Sequence, residues 1–438
     1  MSGYRHAVYW QDVHPVTAGE PLDTSVSCDV CVVGGGFTGL WAAHFLRQAE
    51  PDIDVRVVER AVAGAGASGT ADGFVTPTVG KDLQQLVLRH GPERAAMVCD
   101  AVARSIVEIG RFVRRHGIDA EYEANDYLLV AVDAAQVARL LRNRDLAARL
   151  GSRFEITVLD AAAARQYVDS PVIRAAVRTG GALVNPFKLA RGLLDVVRRN
   201  GVVVYEGTPA TRVEPVADGY RVCTPSGSIT ARRIVLATSA HQHLLAGFRR
   251  RVLPMWSYAL VSDPLTDRQL ERIAWPGREG LVEAKTFLNC GRFTADNRIM
   301  WAGGSTRYFH RRDMRPERMR DGTVYRELRD SFHSYFPAWS DVRFRYAYGG
   351  CVDVTRDLVP HFGSRGPGLF HGYGYCGNGI AAAHLGGKVL RDLVLGRQTE
   401  YSTSPLVGGR EPAFPPEPLA FCGARLTSRL TQRREARI

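Results

Sequence analysis

The sequence predicts an α/β fold in which a Rossmann-like domain, discontinuous along the chain, carries an inserted α+β lobe built on a mixed sheet. Three observations predict it. A short apolar run, Asp29 to Val33, leads straight into Gly34-Gly35-Gly36-Phe37-Thr38-Gly39 and then a helix-like segment. A second apolar run, Val55 to Val58, ends on Glu59, twenty residues after the last glycine of that loop. The signature of strand, glycine turn and helix then returns from Leu369 to Leu395, far along a chain of 438 residues, a length suited to more than one domain.

The first element is the unit of strand, tight turn, helix and strand that builds parallel sheets. From Lys81 the pattern turns helical: Ala95, Val98, Val102, Ile106, Ile109 and Val113 recur at three- and four-residue spacing, with Gly117 as the C-terminal stop. Asp133 and Asp160 are each placed to cap a further helix. Asn185-Pro186 reads as an N-cap with proline in the first turn, opening a helix that closes at Asn200-Gly201. Strands follow over 202–205, 211–216, 220–223 and 234–237, with turns at Asp218-Gly219 and Ser226-Gly227. Residues 251–345 mix strands with one amphipathic helix carrying Val324, Leu328, Phe332 and Phe336.

Composition excludes several classes. No apolar run approaches the roughly 18 residues of a membrane helix, and Met1 to Trp10 is polar and aromatic where a signal peptide would be apolar, so a cytoplasmic protein with no membrane partner is expected. The net charge of +12 rests on arginine, since Lys81, Lys188, Lys285 and Lys388 are the only lysines. Those arginines are interspersed with acids, so no nucleic-acid partner is expected. Eight cysteines in a chain this long do not make a disulfide framework. The C-x-x-C pair Cys28 and Cys31 sits on a strand, where residues three apart face opposite sides, and His241-x-His243 has no third ligand nearby, so no metal is expected.

Each part of the glycine loop has a mechanical reason. Gly34 allows the tight turn, Gly36 lets the backbone approach a pyrophosphate, and Gly39 lets the helix pack on the strand. The helix N-terminus offers unpaired N–H groups to phosphate, and Glu59 is placed to accept from a ribose hydroxyl. The candidate dinucleotide-binding residues of this unit are Gly34, Gly36, Phe37, Thr38, Gly39, Glu59 and Arg60. The spacing specifies a dinucleotide without saying which.

Three blocks resemble the superfamily of FAD-dependent amine and amino-acid oxidases that includes D-amino-acid, glycine and sarcosine oxidases, and most of all the γ-glutamylputrescine oxidase-like group. They are residues 28–75, with Gly64-Ala65-Gly66-Ala67-Ser68-Gly69 as the second glycine loop; residues 345–363, with Tyr348-Gly349-Gly350; and residues 369–395, with Gly377-Asn378-Gly379-Ile380. The resemblance implies FAD as cofactor. It implies that Ala67, Ser68, Gly69, Gly73 and Phe74 line the flavin side, that Val213 meets the adenine through its backbone, and that Ala237-Thr238 close over the pyrophosphate. Gly377, Asn378, Gly379 and Ile380 would approach the flavin ring from the last helix. The order of element patterns along the chain predicts an FAD-binding domain of residues 1–80, 180–250 and 345–408 and a substrate domain of 81–179 and 251–344, with a basic C-terminal tail, 409–438, rich in arginine (Arg425, Arg429, Arg433, Arg434, Arg437).

The sequence departs from the family twice. Arg-Asn-Gly-Gly usually follows Ser-Gly in the second loop, whereas here Thr70-Ala71-Asp72-Gly73 follows, placing an acid near the flavin; and a lysine that serves oxygen in some relatives is replaced near Met300. The implied reaction is hydride transfer from the carbon beside an amine nitrogen to flavin N5, with the imine then hydrolysed and the flavin reoxidised by O2 or another acceptor. Lys285, Arg292, Arg307 and Tyr258 are the candidate substrate-positioning residues, the arginines as clamps for an anionic amine, with Tyr346 as a further wall. Noncovalent FAD is expected, with Cys351 the candidate should attachment be covalent. The alternative enzyme is an FAD-dependent monooxygenase using NAD(P)H, which shares the first unit.

Overall fold

In the computed structural model, which describes residues 3–244 and 247–436, the first apolar run forms the strand Ser25–Val33. Its inner half, Val30 to Val33, is buried, as expected for a parallel strand covered on both faces. It pairs in parallel with Val55–Val58 on one side and Ser228–Leu236 on the other. Val203–Tyr205 continues the sheet beyond Val55–Val58, and Leu369–Tyr373 continues it beyond Ser228–Leu236, both in parallel. His361–Ser364 adds an antiparallel edge. A hairpin of Arg212–Val216 and Gly219–Cys223 projects antiparallel from Ser228–Leu236. Three separated stretches of chain therefore make one α/β sheet.

The helices Phe37–Ala49, Pro92–His116, Pro186–Arg199 and Ile380–Leu395 share the principal apolar core with this sheet. Their ends follow local chemistry. Gly117 is left-handed (φ 62°) at the end of Pro92–His116, and the Asn185 side chain accepts the Lys188 N–H at 3.1 Å beside Pro186. Asp133 and Asp160 cap Ala134–Arg149 and Ala161–Tyr167 through the N–H groups of Gln136 and Ala163.

A second, mixed sheet runs in the order Phe344–Thr355, Val252–Ser262, Ile299–Arg307, Asn289–Phe293, Gly280–Glu283, Asp126–Ala131, Ala175–Gly180, Ile156–Asp160. Gly280–Glu283 lies parallel to Asp126–Ala131, and the other pairs are antiparallel. The amphipathic helix Gly322–Tyr335 covers it, burying Val324, Leu328 and Phe332 with Trp301, Phe336 and Trp339. Residues 345–355 join this sheet, because Phe344–Thr355 pairs along Val252–Ser262. A hydrophobic run shows that a strand exists and not which sheet it joins.

The tail holds a helix, Leu419–Ala436, whose Ala420 and Phe421 pack near Leu253 and Tyr308, with the Arg425 guanidinium over the Phe421 ring. Arg437 and the side chains of Arg433 and Arg434 lie outside the described residues. No helix among the described residues is long and apolar enough to cross a membrane.

Candidate cofactor and substrate site

Gly34 leaves the Ser25–Val33 strand at φ 113°, and a Cβ on it would lie 2.4 Å from the Ala237 carbonyl oxygen. Both the conformation and the space require glycine. Gly36 is the N-cap of Phe37–Ala49, and a Cβ on Gly39 would meet the Gly34 carbonyl oxygen at 1.9 Å. The loop thus keeps its backbone bare at the helix N-terminus. Glu59 is held beside it, accepting the N–H groups of Gly35 at 2.8 Å and Ala61 at 3.0 Å. The Arg60 guanidinium reaches His241 Nδ1 at 3.2 Å, and burial, then Arg60, draw the His241 pKa down to about 4.

The second glycine loop folds as the short helix Ala67–Thr70, and Ser68 Oγ accepts the Phe37 N–H at 2.9 Å, joining the two loops. Gly69 packs on Phe187, and Gly73, at φ 83°, packs on the Val184 carbonyl. From the far end of the chain, Gly377 (φ 95°), Asn378 and Gly379 lead into Ile380–Leu395, and Asn378 Nδ2 donates to the Gly80 carbonyl at 2.7 Å. Thr38 Oγ1 and the Tyr375 hydroxyl, 2.7 Å apart, tie the first glycine helix to the last loop.

These loops border one cavity of about 1180 Å³. Gly34, Gly36, Phe37, Thr38, Glu59, Arg60, Ala67, Ser68, Gly73, Phe74, Ala237, Thr238, Gly377, Asn378, Gly379 and Ile380 all line it. The helices Phe37–Ala49 and Ile380–Leu395 meet it at their N-termini, an environment suited to pyrophosphate and to an electron-rich ring edge. Gly39 and Gly69 act from behind the lining. Val213 is not in the lining: it is packed in the core beside Val222 and Ile229, and Pro209 and Ala210 line the cavity upstream of it instead.

The second sheet supplies the other walls. Tyr258 lines the cavity with its hydroxyl donating to the Arg318 carbonyl at 3.0 Å, and Lys285 lines it from just beyond Gly280–Glu283. Lys285 Nζ is 2.8 Å from Glu283 Oε2, which also accepts from Asn289 Nδ2 at 2.7 Å. The two candidate clamps are turned elsewhere. Arg292 is buried, with Nη1 donating to the carbonyls of Val184 (2.6 Å) and Gly73 (3.2 Å) and Nε to that of Phe293 (3.0 Å). Arg307 pairs with Asp321 at 3.1 Å and faces Glu327. Neither lines the cavity, so the expected guanidinium clamp is not built from them. Tyr346 likewise lies outside the lining, donating to Asp12 Oδ2 at 2.9 Å, and Met300 is buried in an apolar cluster. Cys351 does line the cavity, with its thiol pushed up to about 12 by burial.

Four residues at the site carry no role legible in the sequence. Lys81 and Tyr348 line the cavity. Tyr375 lines it as well, and buried Asp353 shapes the last loop by accepting the N–H groups of Gly374 at 2.7 Å and Tyr375 at 3.2 Å. Asp353 and Tyr375 lie in the blocks that carried the resemblance, which was the signal available for them. Asp72, visible in the sequence only as a departure, also lines the cavity.

A glycine cradle at two helix N-termini, an acid at the end of the second strand and a cavity continuing to a second sheet define a dinucleotide-dependent oxidoreductase. Residues 29–393 match the family model described as DAO, FAD dependent oxidoreductase, and the chain belongs to that family. It is an enzyme, and its cofactor is FAD. Its sequence is 28% identical to gamma-glutamylputrescine oxidoreductase of Escherichia coli (strain K12) over 94% of this chain and 95% of that one. It is 24% identical to glycine oxidase of Geobacillus kaustophilus over 86% of this chain and 95% of that one. The solved structure of a glycine oxidase from Geobacillus kaustophilus superposes with a TM-score of 0.73 at 19% identity, covering 88% of this chain and all of the other. L-proline dehydrogenase from P. horikoshii superposes with a TM-score of 0.70 at 18% identity, over 88% and 96% of the two chains.

Proposed function

We propose that the protein oxidises the carbon–nitrogen bond of a primary or secondary amine, an amino acid or a related compound, with FAD bound noncovalently. The observation that carries this reading is the continuity of one cavity from the glycine cradle to Tyr258, Lys285 and Tyr348 on the second sheet. FAD, when bound, would supply the chemistry of hydride acceptance from the carbon beside the nitrogen. Gly34, Gly36 and the two helix N-termini would hold its pyrophosphate and ring edge, Glu59 would hold its ribose, and the second sheet would orient the amine and limit water. The names of the relatives, an oxidoreductase of gamma-glutamylputrescine and an oxidase of glycine, support an amine substrate. The imine then hydrolyses in water, and O2 or another acceptor takes the electrons. Burial keeps the Cys351 thiol protonated, which favours noncovalent FAD.

Product analysis tests the reading. Incubating the FAD-loaded enzyme with a panel of amines should release ammonia or a smaller amine together with a carbonyl compound, without NAD(P)H. A hydroxylated product formed only with NAD(P)H would instead establish the monooxygenase reaction.

A further inference from the structure

Asp72 stands in the second glycine loop, between the short helix Ala67–Thr70 and the strand Phe74–Val75, on the cavity wall. The backbone around it is fixed from three sides. Trp10 Nε1 donates to the Ala71 carbonyl at 3.0 Å, Arg292 Nη1 donates to the Gly73 carbonyl at 3.2 Å, and the Val184 N–H donates to that same carbonyl at 2.9 Å. The Arg292 guanidinium lies over the Trp10 ring with its hydrogen bonds on main-chain carbonyls, so the nearest arginine is committed to the backbone. The Asp72 carboxylate accepts from the Cys290 thiol at 3.6 Å, a weak donor kept protonated by burial.

Tyr348, on Phe344–Thr355, lines the same cavity. It is 1% exposed, and its hydroxyl has no hydrogen-bond partner. A buried hydroxyl in that state calls for a polar group to meet it. An ammonium fits: it carries a full positive charge for the carboxylate and enough N–H donors to reach the phenol oxygen as well.

We propose that Asp72, with Tyr348 beside it, receives the ammonium group of the substrate and makes the enzyme selective for cationic amines over neutral molecules of the same shape. This assignment rests on the amine-oxidation reading. The ionisable groups around the carboxylate are Cys290 and Arg292 from Asn289–Phe293 and Tyr348 from Phe344–Thr355. Beyond them stand Tyr9, whose hydroxyl is held by Asp296 at 2.6 Å, and Lys81 on the Cys290 side. Burial raises the Asp72 pKa to about 6, against the lowering effects of Cys290 and then Arg292. The carboxylate is charged above that value, so ammonium affinity rises as pH climbs through it.

The test uses the FAD-loaded full-length enzyme and tert-butylammonium, whose carbon beside nitrogen has no hydrogen to lose, with tert-butanol as the neutral counterpart. Calorimetry and the visible difference spectrum of the flavin report binding. Unmodified enzyme should bind the ammonium and not the alcohol, more tightly as pH rises through about 6. Asp72→Asn should hold its FAD, lose about tenfold or more in ammonium affinity and lose the pH dependence, which Asp72→Glu should restore in part. Failure of the unmodified enzyme to prefer the ammonium, or binding by Asp72→Asn that matches it at every pH, overturns the assignment. These arms do not depend on turnover. Ammonium binding that depends on Asp72 in an enzyme that oxidises no amine would sink the proposed reaction and leave the ammonium site standing.

Discussion

The carboxylate of Glu59 accepts the N–H of Gly35 at 2.8 Å, so the acid that ends the second strand is fixed directly to the glycine loop after the first. The link turns a spacing in the sequence into a rigid corner of the cavity. Glu59→Ala removes both the proposed ribose acceptor and the anchor for the N–H groups of Gly35 and Ala61. Hydrogen bonds to a charged group are each worth about 1.5–3 kcal/mol, so FAD affinity should fall roughly ten- to hundredfold. Titrating cofactor-stripped protein with FAD and following the quenching of flavin fluorescence checks this.

Gly39→Ala should be far more damaging than an ordinary helix substitution. Alanine is the better helix former, yet here its Cβ would lie 1.9 Å from the Gly34 carbonyl oxygen. The helix must move off the strand, so the expected product is a protein with a lowered thermal midpoint and little bound FAD. A stable variant with full FAD content would contradict the close-packing account.

Arg292→Met should act on stability and not on substrate affinity. It takes the Arg292 donor from the carbonyls of Val184 and Phe293 and leaves the Gly73 carbonyl with the Val184 N–H alone, in a buried setting, at a cost on the order of 3 kcal/mol. Denaturant unfolding should show the loss, while the KM of the folded fraction stays near that of the parent enzyme. A raised KM with unchanged stability would return Arg292 to the role of substrate clamp.

Asp353 makes stability depend on pH. Burial raises its pKa to about 6, against the lowering effect of backbone N–H groups including those of Gly374 and Tyr375. A raised folded-state pKa contributes stability that is complete below the unfolded value and is lost as pH rises through about 6. The loss is on the order of 3 kcal/mol by neutral pH. Asp353→Asn should remove this dependence, so its unfolding free energy relative to the parent improves as pH rises from about 4 to 8. Parallel stability curves for the two proteins would contradict it.

What the sequence made legible followed from local chemistry. The first glycine loop, Glu59, the Asp133, Asp160 and Asn185 caps and the Gly117 stop all depend on residues near one another in the chain. The mixed second sheet was legible as strands, but the membership of 345–355 was not, because pairing between distant strands leaves no local mark. Arg292 and Arg307 looked like clamps because arginine suits carboxylates. Which way each side chain turned was decided by partners elsewhere, the carbonyl of Val184 for one and Asp321 for the other. Val213 was legible as a strand residue, and its side chain packs in the core, which leaves its backbone as the part that could meet an adenine. Asp72 was visible only as a break in a family pattern, and its setting beside Cys290 and Tyr348 needed the fold.

Amine oxidation is tested most directly by mixing the purified protein, without oxygen, with primary and secondary amines and following the visible flavin band. An amine oxidase or dehydrogenase should be a yellow protein bleached by at least one amine class, with the colour returning on admission of O2 or another acceptor. A yellow protein that no amine bleaches, but that NAD(P)H reduces, would contradict it.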